Sequence, residues 1–230
     1  MEILNTEVRA ATKKKFDAEL EGKVTLLHFT QEASRLVLPD SLKGQECMFC
    51  RETKQLLEEV AALSDKIELR LQDFTADKER AAEYGIDKIP ALAVMNETDY
   101  GIRFYGIPSG YEYSSLIECI MDVSRGKTSL SDKTREKLRA IDRDVHLQVF
   151  VTPTCPYCSI SVRLAHQFAM ESPFIRADMV EATEFPHLAN RFNVMGVPRT
   201  VINNAAFIEG AMPEDRFLRE ILKAVAPAGS

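Results

Sequence analysis

The sequence of 230 residues has no tryptophan, only 10 glycines and only 4 histidines. No window is long and apolar enough for a transmembrane helix, and the first 20 residues lack the apolar core of a signal peptide. Basic residues are not in excess, because 29 Lys and Arg stand against 35 Asp and Glu, a net charge of -6. We therefore expect no nucleic-acid partner, no membrane partner and a cytoplasmic location.

Cysteine is also scarce, yet four of the five cysteines fall into two pairs with the same spacing. Cys47 and Cys50 lie in "QECMFCRE", and Cys155 and Cys158 lie in "VTPTCPYCSI". In a reducing compartment, CxxC pairs indicate redox or metal chemistry before structural disulfides. The fifth cysteine, Cys119, lies at the border of an apolar helix face, where we expect a half-buried core residue.

The sequence repeats itself at an offset of 108 residues. At this offset the two cysteine pairs coincide, Pro90 coincides with Pro198, and Ile89 coincides with Val197. An internal repeat of this kind indicates a duplicated structural unit. The length of the chain suits two α/β units of about 110 residues each.

The two units, which we predict at residues 1–125 and 126–230, show the same pattern of helices and strands. Each begins with a polar-faced helix and an apolar strand that runs towards its CxxC pair. An amphipathic helix follows the cysteines, and then a strand, a short helix, an X-Pro step, a hairpin and a last helix. The order α-βαβ-α-ββα predicts an α/β fold in which each unit has a central mixed sheet flanked by helices. Because the junction at 123–131 is too short for a free linker, we expect the halves to pack together.

The cysteine spacing suits thiol–disulfide exchange. A thiolate is the reactive form of cysteine, and its pKa falls at a helix N-terminus, where unsatisfied N–H groups favour negative charge. We predict this position for Cys47 and Cys155, and Pro156 supports it as a residue suited to the first helical position. Cys50 and Cys158 would then lie close enough to close a disulfide. The first cysteine would attack a substrate disulfide, and the second would release the product.

A zinc site is the main structural alternative, because four-cysteine clusters also use two CxxC pairs. Zinc ribbons bring such pairs together over roughly 15 to 20 residues, whereas 104 residues separate Cys50 from Cys155. We therefore expect no metal. A zinc-stabilised binding module stays open as an alternative of a different class, and one tightly held zinc ion per chain would favour it.

A strand, a CxxC pair, a helix and an X-Pro step 40 residues later together resemble the thioredoxin fold. The runs "VFVTPTCPYC", "FNVMGVP" and "YGIRFYGIPSGYEY" resemble the glutaredoxin-like protein disulfide oxidoreductases, found largely in thermophilic archaea and bacteria. The resemblance covers nearly the whole chain. It implies two tandem thioredoxin-like units with one redox-active CxxC site each, protein disulfides as substrates and a thioredoxin reductase as electron donor. It implies no tightly bound cofactor, because the electrons are held on sulfur.

The resemblance also implies that both X-Pro bonds are cis and that each holds a backbone edge beside the cysteines for an extended substrate peptide. The residues that we assign to substrate contact are Ile89, Pro90, Val197, Pro198, Met48, Phe49, Pro156 and Tyr157. Thioredoxins keep a buried Asp on the strand before the cysteines, and neither "LHF" nor "LQVFV" has one, so the proton acceptor is unassigned. The four histidines show no metal-ligand spacing, and we interpret them as surface or strand-edge residues.

Two functions remain open from the sequence besides the zinc module. The protein is either a protein-disulfide oxidoreductase or a dedicated electron carrier to a peroxidase. For the oxidoreductase, we predict that the second site dominates, because Pro156 stiffens the first helical turn, which aims N–H groups at Cys155 and lowers its pKa, whereas Met48 gives no such constraint. The first unit also carries a 13-residue insertion within residues 31–46, whose "LVLP" segment is predicted to fold over Cys47 and restrict large clients.

Overall fold

The computed structural model describes residues 3–31 and 47–226, in which helices and strands form two similar series. The first series is α1 (Thr6–Glu19), β1 (Val24–Thr30), α2 (Cys50–Ala61), β2 (Ile67–Asp73), α3 (Lys78–Glu83), β3 (Ala91–Met95), β4 (Ile102–Tyr105) and α4 (Glu112–Arg125). The second series is α5 (Asp132–Arg139), β5 (Val145–Val151), α6 (Cys158–Glu171), β6 (Ile175–Glu181), α7 (Pro186–Arg191), β7 (Arg199–Ile202), β8 (Ala206–Glu209) and α8 (Glu214–Val225). The shared order confirms the predicted α-βαβ-α-ββα pattern.

One mixed sheet of eight strands passes through both series, in the order β2-β1-β3-β4-β6-β5-β7-β8. Strand β1 pairs in parallel with β2 and antiparallel with β3, and β5 pairs in the same way with β6 and β7. The halves meet where β4 pairs in parallel with β6, so that Phe104 lies beside Met179. The continuous sheet confirms that the halves pack together, while the boundary at residue 125 stays a prediction.

The direction of the strands places the two cysteine pairs. Strands β1 and β4 both run antiparallel to β3, and β4 is parallel to β6 and therefore to β5. The carboxyl ends of β1 and β5 thus lie at the same edge of the sheet. Three strands separate them, which at about 4.8 Å per strand puts β1 and β5 about 19 Å apart.

Apolar side chains fill a core on each face of this sheet. Successive strand residues point to opposite faces, so Leu26 joins the larger core, and its neighbour Leu27 joins the smaller one. The larger core takes the apolar faces of the helices that follow the cysteines, with Leu57 of α2 and Phe168 of α6 fully buried. None of the described helices is long and apolar enough to cross a membrane.

Two local predictions have different outcomes. The sequence leaves Ser131 or Asp132 as the N-cap of α5, and the structure selects Ser131, whose hydroxyl oxygen accepts a hydrogen bond from the Thr134 N–H. The "LVLP" segment of the insertion lies within residues 32–46, outside the described residues. Its contact with Cys47 therefore stays a prediction.

Candidate redox sites

Both cysteine pairs lie at the sheet edge that holds the carboxyl ends of β1 and β5. Cys155 and Cys158 follow β5 directly, and Cys50 opens α2, the helix that returns from this edge between parallel β1 and β2. A disulfide joins the two cysteines of each pair, with their Cα atoms 5.5 Å apart. The three-residue spacing thus brings each pair together as predicted.

The helices begin at the second cysteine of each pair, not at the first. Helix α2 begins at Cys50 and α6 at Cys158, so Cys47 and Cys155 precede them. The prediction that Pro156 is the first helical residue is wrong, because it lies in a turn in which the Cys158 N–H donates to the Cys155 carbonyl at 3.4 Å. Proline suits this turn because its ring fixes φ near the required value. Pro156 therefore restricts the second pair through the turn.

The two cysteines of a pair differ in burial. Cys158 is fully buried and Cys50 is 3% exposed, whereas Cys155 is 8% exposed and Cys47 is half-buried. The first cysteine is therefore the more accessible sulfur in both pairs. An incoming disulfide meets this sulfur first.

Both X-Pro steps lie at the sheet edge that holds the cysteines, and the second one contacts Cys155. The Ile89–Pro90 and Val197–Pro198 peptide bonds are cis, as the resemblance implies. Each proline directly precedes a strand, β3 or β7, that pairs antiparallel with the strand leading to the cysteines. The carbonyl oxygen of Val197 lies 3.8 Å from Cys155 Sγ. The backbone before Pro198 is thus in contact with the second disulfide.

The residues between the cysteines contribute exposed apolar surface. Met48 is 74% and Tyr157 is 65% exposed, and Pro156 is also exposed. The expectation that Phe49 faces solvent is only partly right, because Phe49 is half-buried at the N-cap of α2. The sequence analysis missed Met195, which is 85% exposed two residues before Val197. Its place in "FNVMGVP", next to the X-Pro step, is the signal that could have identified it.

A segment of the first half contacts the loop that leads into the second pair. The Tyr111 N–H donates to the Pro153 carbonyl at 3.0 Å, and Pro153 lies two residues before Cys155. Gly110 has φ +60°, and a Cβ at this position would lie 2.2 Å from the same carbonyl oxygen. Only glycine adopts this conformation readily and permits this approach.

A carboxyl group with a shifted pKa makes a second contact between the halves. Glu184 follows β6, and its Oε1 accepts a hydrogen bond from the Ile107 N–H at 2.6 Å. Burial, helped by the negative charges of Glu181 and Glu52, outweighs this bond and raises the pKa of Glu184 to about 7. Glu52 lies in the first turn of α2, two residues after Cys50. A carboxyl group that titrates near neutral pH therefore lies between the halves.

The interpretation of the histidines as surface or strand-edge residues is wrong for His28 and His166, which are 0% and 3% exposed. His28 lies inside "VTLLHFT" of β1, and a continuous apolar run predicts a strand buried on both faces. This run is the signal that should have indicated a buried side chain. The imidazole Nδ1 lies 2.9 Å from the Ala91 carbonyl oxygen, and the ring also interacts with the Cys50 backbone.

Cys119 is more buried than predicted. It is 4% exposed in α4, and burial, with a smaller contribution from Asp122, raises the pKa of its thiol well above the usual value. The predicted half-buried position is therefore wrong, because α4 is covered on this side by α6. A thiol held in its protonated form is unreactive.

The structure does not bring the four paired cysteines into one cluster. Within residues 3–31 and 47–226, no group of three or more His, Cys, Asp or Glu side chains lies close enough to hold a metal ion. A four-cysteine zinc site needs both CxxC pairs around one ion. This arrangement of the cysteines gives the zinc-module alternative no support.

Comparison with known proteins agrees with this geometry. Residues 145–223 match a family model described as a thioredoxin domain. The structure superposes on a protein disulfide oxidoreductase from Aeropyrum pernix with a TM-score of 0.85 and 28% identity, covering 96% of this chain and 93% of that one. It superposes on the alkylhydroperoxide reductase protein AhpF from Enterococcus faecalis with a TM-score of 0.83 and 27% identity, covering 97% and 99% of the chains.

A sequence relative extends the second resemblance. The corresponding alkyl hydroperoxide reductase protein of Pseudomonas aeruginosa is 26% identical over 171 residues, which are 74% of this chain and 31% of that protein. The chain spans about 30% of the length of the curated relatives that it matches.

The chain thus has a thioredoxin-like disulfide oxidoreductase fold with two CxxC sites. The resemblance to the protein disulfide oxidoreductases, first indicated by the sequence, is confirmed by the match across nearly the whole chain. Thiol–disulfide exchange is the chemistry that these sites support.

Proposed function

We propose that this protein exchanges disulfides with protein clients through Cys47 and Cys50 in the first unit and Cys155 and Cys158 in the second. One observation carries the proposal: Cys155, the more accessible sulfur of its pair at 8% exposed, is bonded to the fully buried Cys158 and lies against the Val197 backbone. This arrangement gives one sulfur for attack, one for release and a backbone edge for the client.

Exchange at the second site proceeds in two steps. The Cys155 thiolate attacks one sulfur of the client disulfide, so a mixed disulfide forms and the other client sulfur leaves with the electron pair. The Cys158 thiolate then attacks Cys155 Sγ, closes the intramolecular disulfide and expels the second client sulfur as a thiolate. The client gains two electrons, and the protein becomes oxidised. The reverse sequence oxidises a client dithiol.

Client recognition rests on the backbone before each proline and on the exposed apolar side chains beside it. An extended peptide that pairs with the Val197 backbone would place its cysteine next to Cys155 Sγ. Tyr157 and Met195 would contact its neighbouring side chains, and the exposed Met48 would act in the same way at the first site. There the half-buried Ile89 and Phe49 would contribute less surface, and the buried Pro90, like Pro198, would act through the backbone beside it. Because Tyr157, Met195 and Met48 are apolar and exposed, we expect unfolded or extended client segments.

The electrons for repeated turnover come from a partner. We propose a flavin-dependent thioredoxin reductase as that partner and a reducing, cytoplasmic location. The proposed unit boundary is residue 125, where α4 ends. The dithiol stores two electrons on sulfur, so the exchange itself uses no further cofactor.

A second candidate function is electron transfer to a peroxidase. The similarity to the alkyl hydroperoxide reductase proteins of Enterococcus faecalis and Pseudomonas aeruginosa supports it. In this role the client would be the catalytic disulfide of one dedicated peroxidase rather than a range of protein disulfides.

Parallel assays separate the two functions. The first assay measures insulin reduction by the full chain with dithiothreitol, and the second measures hydroperoxide consumption by a peroxiredoxin with this protein as electron carrier. The control replaces Cys47, Cys50, Cys155 and Cys158 with Ser. We expect insulin reduction well above the control. Efficient peroxide consumption without insulin reduction would favour the electron carrier, activity in neither assay would refute both, and one bound zinc ion per chain would favour the binding module.

A further inference from the structure

A buried histidine lies against the first cysteine pair and has no part in the exchange steps described above. We propose that His28 accepts the proton of the Cys50 thiol when the first site releases its client. The inference rests on the proposed exchange at Cys47 and Cys50. It assigns the proton acceptor that the sequence left open for this site.

The contacts of the ring define its protonation state. The Ala91 carbonyl oxygen, 2.9 Å from Nδ1, can only accept a hydrogen bond, so Nδ1 carries the hydrogen. In the neutral imidazole the other nitrogen, Nε2, then has a free lone pair. Nε2 is buried and has no hydrogen-bond partner among the described residues. It is therefore a basic nitrogen held out of water.

The ring lies next to the resolving cysteine. His28 is on β1, Cys50 opens α2, and the imidazole interacts with the Cys50 backbone. Cys50 is 3% exposed, so bulk water does not readily take the proton from its thiol. An internal acceptor next to Cys50 removes this obstacle.

Few charges act on the ring. Burial is the largest effect on the pKa of His28. Together with the weaker positive charge of Lys54 in α2, it outweighs the backbone contacts with Ala91 and Cys50, which raise the pKa, and lowers it to about 4. The neighbouring residues on the flanking strands are the uncharged Leu71 on β2 and Leu92 on β3. While the disulfide is closed, the imidazole is therefore neutral at pH 7. An ionised Cys50 would supply the missing counter-charge, because an opposite charge nearby favours the protonated ring.

The proposed step balances as follows. In the mixed disulfide between Cys47 and the client, the Cys50 S–H proton moves to His28 Nε2. The Cys50 thiolate attacks Cys47 Sγ, the bond from Cys47 to the client sulfur breaks, and the client leaves as a thiolate with the electron pair. With the thiolate consumed, the buried imidazolium has no counter-charge and gives its proton to the departing thiolate. The cysteines of the protein are oxidised, and the client sulfur is reduced.

The second site has no such residue at the matching position. The counterpart of His28 in the second unit is Val149. Each of them pairs with the residue that lies two positions after the cis proline of its unit, Leu92 in the first and Thr200 in the second. Val149 has no basic atom. The second site therefore serves as an internal comparison for the first.

The test measures the two steps of the first site separately. In the full chain carrying Cys155→Ser and Cys158→Ser, the reduced first pair is mixed with one equivalent of 5,5′-dithiobis(2-nitrobenzoate). Attack by Cys47 releases one coloured thiolate, and ring closure by Cys50 releases a second. His28→Asn keeps a side-chain N–H for the Ala91 carbonyl but removes Nε2.

We expect the first release to be unchanged in His28→Asn and the second to be about 100-fold slower at pH 7, within the range of general base catalysis. The second release should then accelerate about tenfold per pH unit, because only hydroxide remains to remove the proton. The matched control is His28→Asn with Cys47→Ser and Cys50→Ser, in which the second site should react at its normal rate. Equal rates of the second release with and without His28 would overturn the inference.

Other outcomes are equally decisive. If His28→Asn slows both sites together, His28 acts through the fold and the inference fails. If the chain with His28 shows no first release, the proposed exchange at this site fails instead. Should the variant not fold, deuterium oxide replaces it: the second release in the chain with His28 should slow in this solvent, and no solvent isotope effect would overturn the proton transfer.

Discussion

The Val197 carbonyl oxygen and the Cys155 sulfur are 3.8 Å apart. A client backbone that pairs with Val197 would therefore lie within a few ångströms of the sulfur that attacks it. Cys158, by contrast, is fully buried and out of reach of an incoming client. Position alone thus assigns attack to the first cysteine and release to the second.

This assignment predicts which variant retains clients. In a chain lacking the first site through Cys47→Ser and Cys50→Ser, Cys158→Ser should accumulate mixed disulfides through Cys155, because no thiol remains to release the client. We expect at least tenfold more trapped client than with Cys155→Ser, measured on non-reducing gels. Equal trapping by the two variants would show that the roles are wrong.

The difference between "CPYC" and "CMFC" predicts a ranking of the sites. Pro156 restricts the turn before α6, whereas Met48 leaves the corresponding turn free, so Cys155 should be the better organised nucleophile. We expect the pair Cys155→Ser and Cys158→Ser to lose most of the insulin-reducing activity. A larger loss from Cys47→Ser with Cys50→Ser would reverse the ranking.

Gly110 couples the first half to the second site. Gly110→Ala places a Cβ 2.2 Å from the Pro153 carbonyl oxygen, so the loop before Cys155 must move. Gly126→Ala is a matched control, because Gly126 has nearly the same φ, +59° against +60°, but its nearest atom is 3.7 Å away. Both variants bear the backbone cost of about 1 to 2 kcal/mol. Urea unfolding should show a larger loss for Gly110→Ala, and only this variant should slow the second site.

The buried Glu112 should make the folded state more stable at acidic pH than at alkaline pH. Glu112 is 1% exposed at the start of α4, and its Oε1 has no hydrogen-bond partner among the described residues. Burial, against the hydrogen bond from Ser115, raises the pKa of Glu112 from 4.5 to about 7. The folded state therefore binds this proton more tightly than the unfolded state, and the resulting stability is present below pH 4.5 and lost as the pH rises through 7.

Glu112→Gln removes this dependence. We compare the free energy of unfolding of the variant with that of the unchanged chain at each pH. This difference should favour the variant by roughly 3 kcal/mol more at pH 8.5 than at pH 4.5, at about 1.36 kcal/mol per pKa unit. Urea unfolding at the two pH values measures the difference, with the exposed Glu79→Gln as control. A difference that does not change with pH would mean that Glu112 ionises normally.

Local sequence patterns predicted most of the elements, and long-range contacts account for what they missed. Apolar periodicity placed α2, α6, β1 and β5 because each of them buries a continuous face. The cysteine spacing predicted both disulfides. The start of α6 at Cys158 depends on one turn hydrogen bond, which no periodicity reports. The environment of His28 depends on Ala91 and Cys50, which are distant in sequence.

The two repeats differ in the burial of one pair of equivalent strands. Strands β4 and β8 occupy equivalent positions, yet all four residues of β4 are buried, whereas β8 has one buried residue. Strand β4 lies in the middle of the sheet beside β6, and β8 lies at its edge. The sequence predicted packing between the halves but not this strand pairing, because a parallel pair between repeats leaves no turn signal.

The pairing of β4 with β6 has a consequence for biosynthesis. Strand β4 ends at Tyr105 and β6 begins at Ile175, so about 70 residues must be translated before β4 meets its neighbour. Until then the nascent chain presents an open strand edge, which can pair with other unfinished chains. Only when β6 has been made and pairs with β4 does the second half close this edge of the first. If the halves were made as two separate polypeptides, the β4 edge of the first would stay open until the second half bound to it.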